Sequence, residues 1–140
     1  MKRLSVLITL LLGLSAAAYA QQPTSPEEVE KKLMEYIDSE VERLTSTLGL
    51  EYWQEFYADS TLVHDYHAMQ DEMRALQESK VMNSELYTAV QDKWNEAIYR
   101  SFEKFLNKEQ WKKYQKSGAL REKKARDKRK EKIENIRIKP

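Results

Sequence analysis

From Val29 to Tyr114, apolar residues return at every third or fourth position, interrupted by one glycine, Gly49, and no proline. That spacing puts the apolar side chains on one face of a helix, whereas a half-buried strand needs alternation with a period of two. No stretch sustains such alternation. After position 20 only two glycines and three prolines remain, too few turn residues for a series of hairpins. The fold class is therefore all-α, with long amphipathic antiparallel helices forming an open hairpin or a cradle-like bundle.

Local signals divide the pattern into elements. Ser25-Pro26-Glu27-Glu28 is a helix start: a serine cap, a proline at the first helical position and a glutamate three residues after the cap. A first helix is expected over about 26–47, ending before Gly49. A second, over about 51–78, carries Trp53, Phe56, Tyr57, Leu62, Tyr66, Met69, Met73 and Leu76 along a broad stripe, and Asp59-Ser60-Thr61 is its weakest point in propensity. A third covers about 84–105. Asn107 caps a short fourth over about 108–117, where Ser117-Gly118 marks a stop or kink. Residues 121–140 are rich in helix formers but lack an apolar stripe, and are expected as a basic tail, helical or frayed.

Lys2 and Arg3 precede an apolar run from Leu4 to Leu14, and Ala18-Tyr19-Ala20 follows with the small-x-small pattern of a signal-peptidase site. The expectation is a signal peptide over 1–20, cleaved after Ala20, and a periplasmic location. The run is too short to span a bilayer, which takes roughly 20 apolar residues. The remaining 120 residues suffice for one helical domain, 21–120, and its tail. With no cysteine, the chain has neither disulfides nor thiolate chemistry, and helix packing and dimerisation are the available sources of stability.

Charge is unevenly spread. Residues 21–120 carry 12 Lys and Arg against 19 Asp and Glu, and residues 121–140 carry 10 against 4. An acidic body with a basic tail implies either a contact between opposite charges or a tail that weakly meets an anionic envelope surface. In composition the tail also resembles a nucleic-acid-binding tract, but export removes nucleic acid as a partner.

Leu50-Glu51-Tyr52-Trp53-Gln54 and Leu106-Asn107-Lys108-Glu109-Gln110 share Leu-x-x-x-Gln, each just before an aromatic-bearing helix. In each, the leucine can plug the core outside the helix start, the next residue can cap it, and the glutamine can bond the adjoining loop or partner helix. At these residues the chain resembles the Spy/CpxP family of bacterial periplasmic proteins, whose signature is a repeated Leu-Thr-x-x-Gln at helix starts. The likeness extends to the leader, the lack of cysteine, the long helices, and the segment from Phe105 to Tyr114. It departs at the threonine, which is Glu51 in the first copy and Asn107 in the second. Asparagine preserves the cap, and glutamate caps poorly. The resemblance implies a homodimeric, cradle-shaped, ATP-independent holdase, or an envelope-stress modulator that binds a sensor protein.

The aromatic residues Trp53, Tyr57, Tyr66, Trp94, Trp111 and Tyr114 follow the same stripes as the aliphatic ones, so most belong to the core, and the remainder form a candidate surface for unfolded or partner polypeptide. His64 and His67 lie three apart, with Asp71 four further on, a spacing that can turn all three to one helix face. Asp65 and Glu72 make that face strongly polar, which favours solvation. A metal-responsive envelope protein binding zinc, nickel or copper is the alternative reading, and a structural envelope protein docking its basic tail on lipid is another. No cofactor is implied. Catalysis has little to work with: there is no glycine-rich phosphate loop, no His-Glu-x-x-His, and no Ser beside a credible histidine base.

Overall fold

A computed structural model describes residues 25–138, with side chains as far as 135; the expected leader over 1–20 and its cleavage after Ala20 lie outside the described residues. The fold is all-α, and no strand occurs among the described residues. In order, the elements are α1 (Pro26–Leu48), α2 (Tyr52–Glu78), α3 (Ser84–Phe105), α4 (Lys108–Tyr114), a π-helical turn (Gln115–Ala119) and α5 (Leu120–Ile138). None of these helices is long and apolar enough to cross a membrane.

The chain divides at Tyr36 into two units. In the first, Ser25 Oγ accepts the Glu28 N–H at 3.2 Å, capping the start of α1. Lys32 and Glu28, and Lys31 and Glu35, form exposed pairs one turn apart.

In the second unit α1 ends where Gly49 turns to φ +65, a conformation that strains any residue with a Cβ. The Thr45 carbonyl then accepts both the Gly49 and Leu50 N–H groups. Helix α2 runs unbroken through Asp59-Ser60-Thr61. It closes with two bonds, Lys80 N–H to the Gln77 carbonyl and Val81 N–H to the Leu76 carbonyl, with Lys80 at φ +54 in the place glycine usually takes. Asn83 Oδ1 accepts the Glu85 N–H and starts α3. Helix α3 returns antiparallel along α2, pairing Tyr57 with Phe105 at one end and Glu72 with Lys93 towards the other.

The core gathers Ile37, Leu44 and Leu48 of α1, Ala58 and Leu62 of α2, and Ile98, Tyr99 and Phe102 of α3. Burial of such side chains stabilises by roughly 1.5–3 kcal/mol each. Against it stands an aromatic stack. Phe102 lies 5.1 Å from Tyr114 and 5.0 Å from Phe105, and Tyr99 lies 4.9 Å from Trp111. The π-helical turn bends at Gly118, φ +113, and redirects the chain into α5.

Helix α5 answers the uneven charge within the chain itself. It lies antiparallel to α3, with Arg126 on Glu96 at 3.2 Å, Lys123 on Glu96 at 3.4 Å, and Arg129 bidentate on Asp92 at 2.6 Å. Arg126 is buried, and its guanidinium also covers the Tyr99 ring. The contact is polar rather than apolar, which is why hydrophobic periodicity alone shows no packing face for the tail.

Candidate functional site

The two Leu-x-x-x-Gln segments meet. Leu50 and Leu106 are buried at the entrances of α2 and α4, and Gln54 and Gln110, 2% and 5% exposed, face each other one turn inside. Gln54 Nε2 donates to Gln110 Oε1 at 2.7 Å, and Gln110 Nε2 donates back to Gln54 Oε1 at 2.8 Å. Each Oε1 also accepts the backbone N–H just after its own leucine: Glu51 to Gln54 at 2.9 Å, and Asn107 to Gln110 at 3.0 Å. Each Nε2 also donates to the carbonyl just before the other leucine: Gln54 to Phe105 at 3.0 Å, and Gln110 to Gly49 at 3.1 Å.

The result is a clasp with local twofold character. All four hydrogen-bonding positions of each amide are filled, so two buried primary amides carry no desolvation debt. The orientation follows from the backbone, since a flipped amide would turn its NH₂ onto a backbone N–H and its oxygen onto a carbonyl. Glutamate or methionine in place of either glutamine cannot reproduce the pattern, because only an amide donates and accepts at one end.

The two copies cap differently. Asn107 Oδ1 accepts the N–H groups of Glu109 and Gln110, at 3.0 and 2.9 Å. At the first copy, the Glu51 carboxylate takes the Trp53 indole N–H at 2.7 Å, while the Glu51 N–H is met by Gln54.

An exposed aromatic face begins within the first copy. Tyr52, Trp53, Phe56 and Tyr57 are 87%, 47%, 65% and 55% exposed. Trp53 and Phe56 each meet Tyr57 edge-on, and Tyr57 stacks at 6.2 Å on Phe105, which joins the face to the buried aromatic stack. Of the six aromatics read from sequence as candidate surface, only Trp53 and Tyr57 lie on this face. Tyr66, Trp94, Trp111 and Tyr114 are half-buried in packing. Tyr52 and Phe56 were missed. The available signal is Gln54, Ala58 and Leu62 at four-residue spacing: once Gln54 is taken as inward-facing, the four aromatics fall on the opposite side.

Each histidine bonds within its own helix. His64 Nδ1 bonds Asp65 Oδ1 at 2.7 Å, and His67 Nδ1 bonds the Val63 carbonyl at 2.6 Å. Among the described residues no group of three or more His, Asp or Glu side chains gathers to hold a metal, so the alternative set His64, His67 and Asp71 is not brought together. Asp71 instead faces Arg74.

A groove of about 320 Å³ runs between the second half of α1, α3 and the π-helical turn. Its guanidiniums are matched by carboxylates: Arg43 by Glu40, Arg126 by Glu96 and Arg129 by Asp92. It therefore presents no uncompensated charge to a ligand. Burial pushes the Tyr114 phenol up to about 12, and burial followed by the contact with the Tyr36 hydroxyl raises Tyr66 further. Both stay protonated across the physiological range and act as packing groups.

Comparison with known protein families, with characterised proteins and with solved structures finds no match.

Proposed function

We propose that this chain is a non-catalytic periplasmic protein that binds unfolded or partner polypeptide, as an ATP-independent holdase or envelope-stress modulator of the Spy/CpxP kind. The observation that carries the reading is the face formed by Tyr52, Trp53, Phe56 and Tyr57, four adjacent aromatic side chains each about half exposed or more. A contiguous apolar patch of this sort marks a contact surface, whereas singly scattered exposed apolar residues carry no such meaning. Aromatic rings offer a large contact area for little lost rotamer freedom, and they accept varied apolar partners. The glutamine clasp beneath the face holds the start of α2 in place, so that the rings are presented from a fixed backbone.

The test follows a chemically unfolded, unrelated client by light scattering, without ATP, at near-stoichiometric ratios. Suppression of aggregation by the wild-type chain, lost in Tyr52→Ser/Phe56→Ser, is the expected outcome. Both substituted side chains are exposed, so the double variant stays folded by circular dichroism. Undiminished suppression in that variant removes the face from the function, and no suppression for several clients removes the holdase reading.

A further inference from the structure

The exposed face of α2 has a charged border. At about 100° per residue, Tyr52, Phe56, Trp53 and Tyr57 cover about 140° of the helix surface, Glu55 and Asp59 line one edge, and Glu51 stands at the N-terminal end. Elsewhere in the second unit several carboxylates are matched by a cation: Glu40 by Arg43, Glu72 by Lys93, Asp92 by Arg129, Glu96 by Arg126. Among the described residues no Lys or Arg pairs with Glu51, Glu55 or Asp59, and the Glu51 carboxylate accepts the Trp53 indole N–H. The helix dipole accounts for acids in the first turn, but Asp59 lies two turns in and is beyond its reach. The aromatic face is thus bordered by negative charge that no Lys or Arg among the described residues matches.

We infer that this face selects polypeptide segments in which Lys or Arg alternate with aliphatic or aromatic residues; the inference rests on the polypeptide-binding function proposed above and names its client class. The apolar side chains of such a segment cover the rings while its cations reach Glu55 and Asp59, and charge complementarity of this kind steers encounter and rejects acidic segments. An anionic lipid surface is excluded by the same carboxylates. The chain's own basic helix is a poor occupant: α5 has no apolar stripe, and its Arg126 and Arg129 are already engaged on α3.

The experiment measures fluorescence anisotropy of labelled peptides of equal length and apolar content that carry Lys, Gln or Glu at the same positions, added to the full chain. The Lys peptide is expected to bind about fivefold tighter than the Gln peptide, with the Glu peptide weakest. The difference closes at about 0.5 M salt and in Glu55→Gln/Asp59→Asn, which leaves the rings untouched. Equal binding of all three peptides overturns the charge selection while leaving polypeptide binding in place; binding of none overturns both. A Lys preference that survives both Glu55→Gln/Asp59→Asn and Phe56→Ser places the site elsewhere. Self-association in sedimentation that disappears in Phe56→Ser makes a second copy the occupant and likewise overturns the inference.

Discussion

The two Leu-x-x-x-Gln copies make the same glutamine hydrogen bonds and carry their aromatic residues on opposite sides of their helices. Around Gln54, the rings of Tyr52, Trp53, Phe56 and Tyr57 face outward, where the second copy has Lys108, Glu109, Lys112 and Lys113; after Gln110, Trp111 and Tyr114 turn inward onto Tyr99 and Phe102, where the first copy has Glu55 and Ala58. The backbone at each helix start is held in the same way, so the register set by the glutamine decides which positions are exposed, and the copies differ in which residues stand there. Helix α4, seven residues long, lays its aromatic side over the end of α3, whereas α2 turns its aromatic side away from the core. One local device thus serves as an interior joint and as the base of a surface.

Removing either glutamine tests the joint most severely. Gln110→Ala deletes four hydrogen bonds and leaves the Gln54 amide, the Gly49 carbonyl and the Asn107 N–H with unmet positions in the interior. Urea denaturation should show a loss of about 3–5 kcal/mol, and Gln54→Ala should lose a similar amount. The double variant should cost clearly less than the sum, because the reciprocal pair is counted in both single variants. Additive losses, or a loss under about 1 kcal/mol from one side, would break the equivalence of the two copies.

The contrast in aromatic use is sharpened by Trp111→Ala against Trp53→Ala. The first should cost about 2–4 kcal/mol and the second no more than about 0.5 kcal/mol. Equal effects in thermal or urea melts would mean that the face on α2 is packed.

Titration tests the inward packing of the second copy's aromatic residues. The folded Tyr114 phenol titrates at about 12 against 10.0 for a free tyrosine, so the folded state holds this proton more tightly than the unfolded one. Its contribution is fully present below pH 10 and is lost as the pH rises towards about 12, a fall of about 2–3 kcal/mol at 1.36 kcal/mol per unit. Tyr114→Phe should remove that part of the alkaline loss, measured as the difference between wild type and variant in denaturation at the two ends of this window. An unchanged difference would place Tyr114 in water.

The smallest effect concerns the caps. Asn107 accepts two backbone N–H groups, so Asn107→Ala should cost about 1 kcal/mol. Glu51→Ala should cost less, about 0.5 kcal/mol or under, since Gln54 meets the Glu51 N–H whatever the side chain at 51.

The helices, their caps and the placement of two glutamines at helix starts are legible in the chain because each signal acts over three or four residues: a periodic leucine, an asparagine before a turn, a glycine after one. The basic tail is legible as a helix former but not as a packed element, because its contacts are Arg126 with Glu96 and Arg129 with Asp92, ion pairs 30 and 37 residues apart that no period reveals. The exposed face is hidden for a related reason. A polar glutamine in the inward stripe makes the buried side of α2 resemble a solvent side, and the true outward side is then crowded with residues that look like core. That Gln54 and Gln110 bond each other across 56 residues of sequence is a property of the tertiary structure alone. Sequence by itself sets where each helix begins and which residues share a face, since capping and helical register are local; which face turns inward and which amides meet each other is decided only when elements distant in the chain pack together.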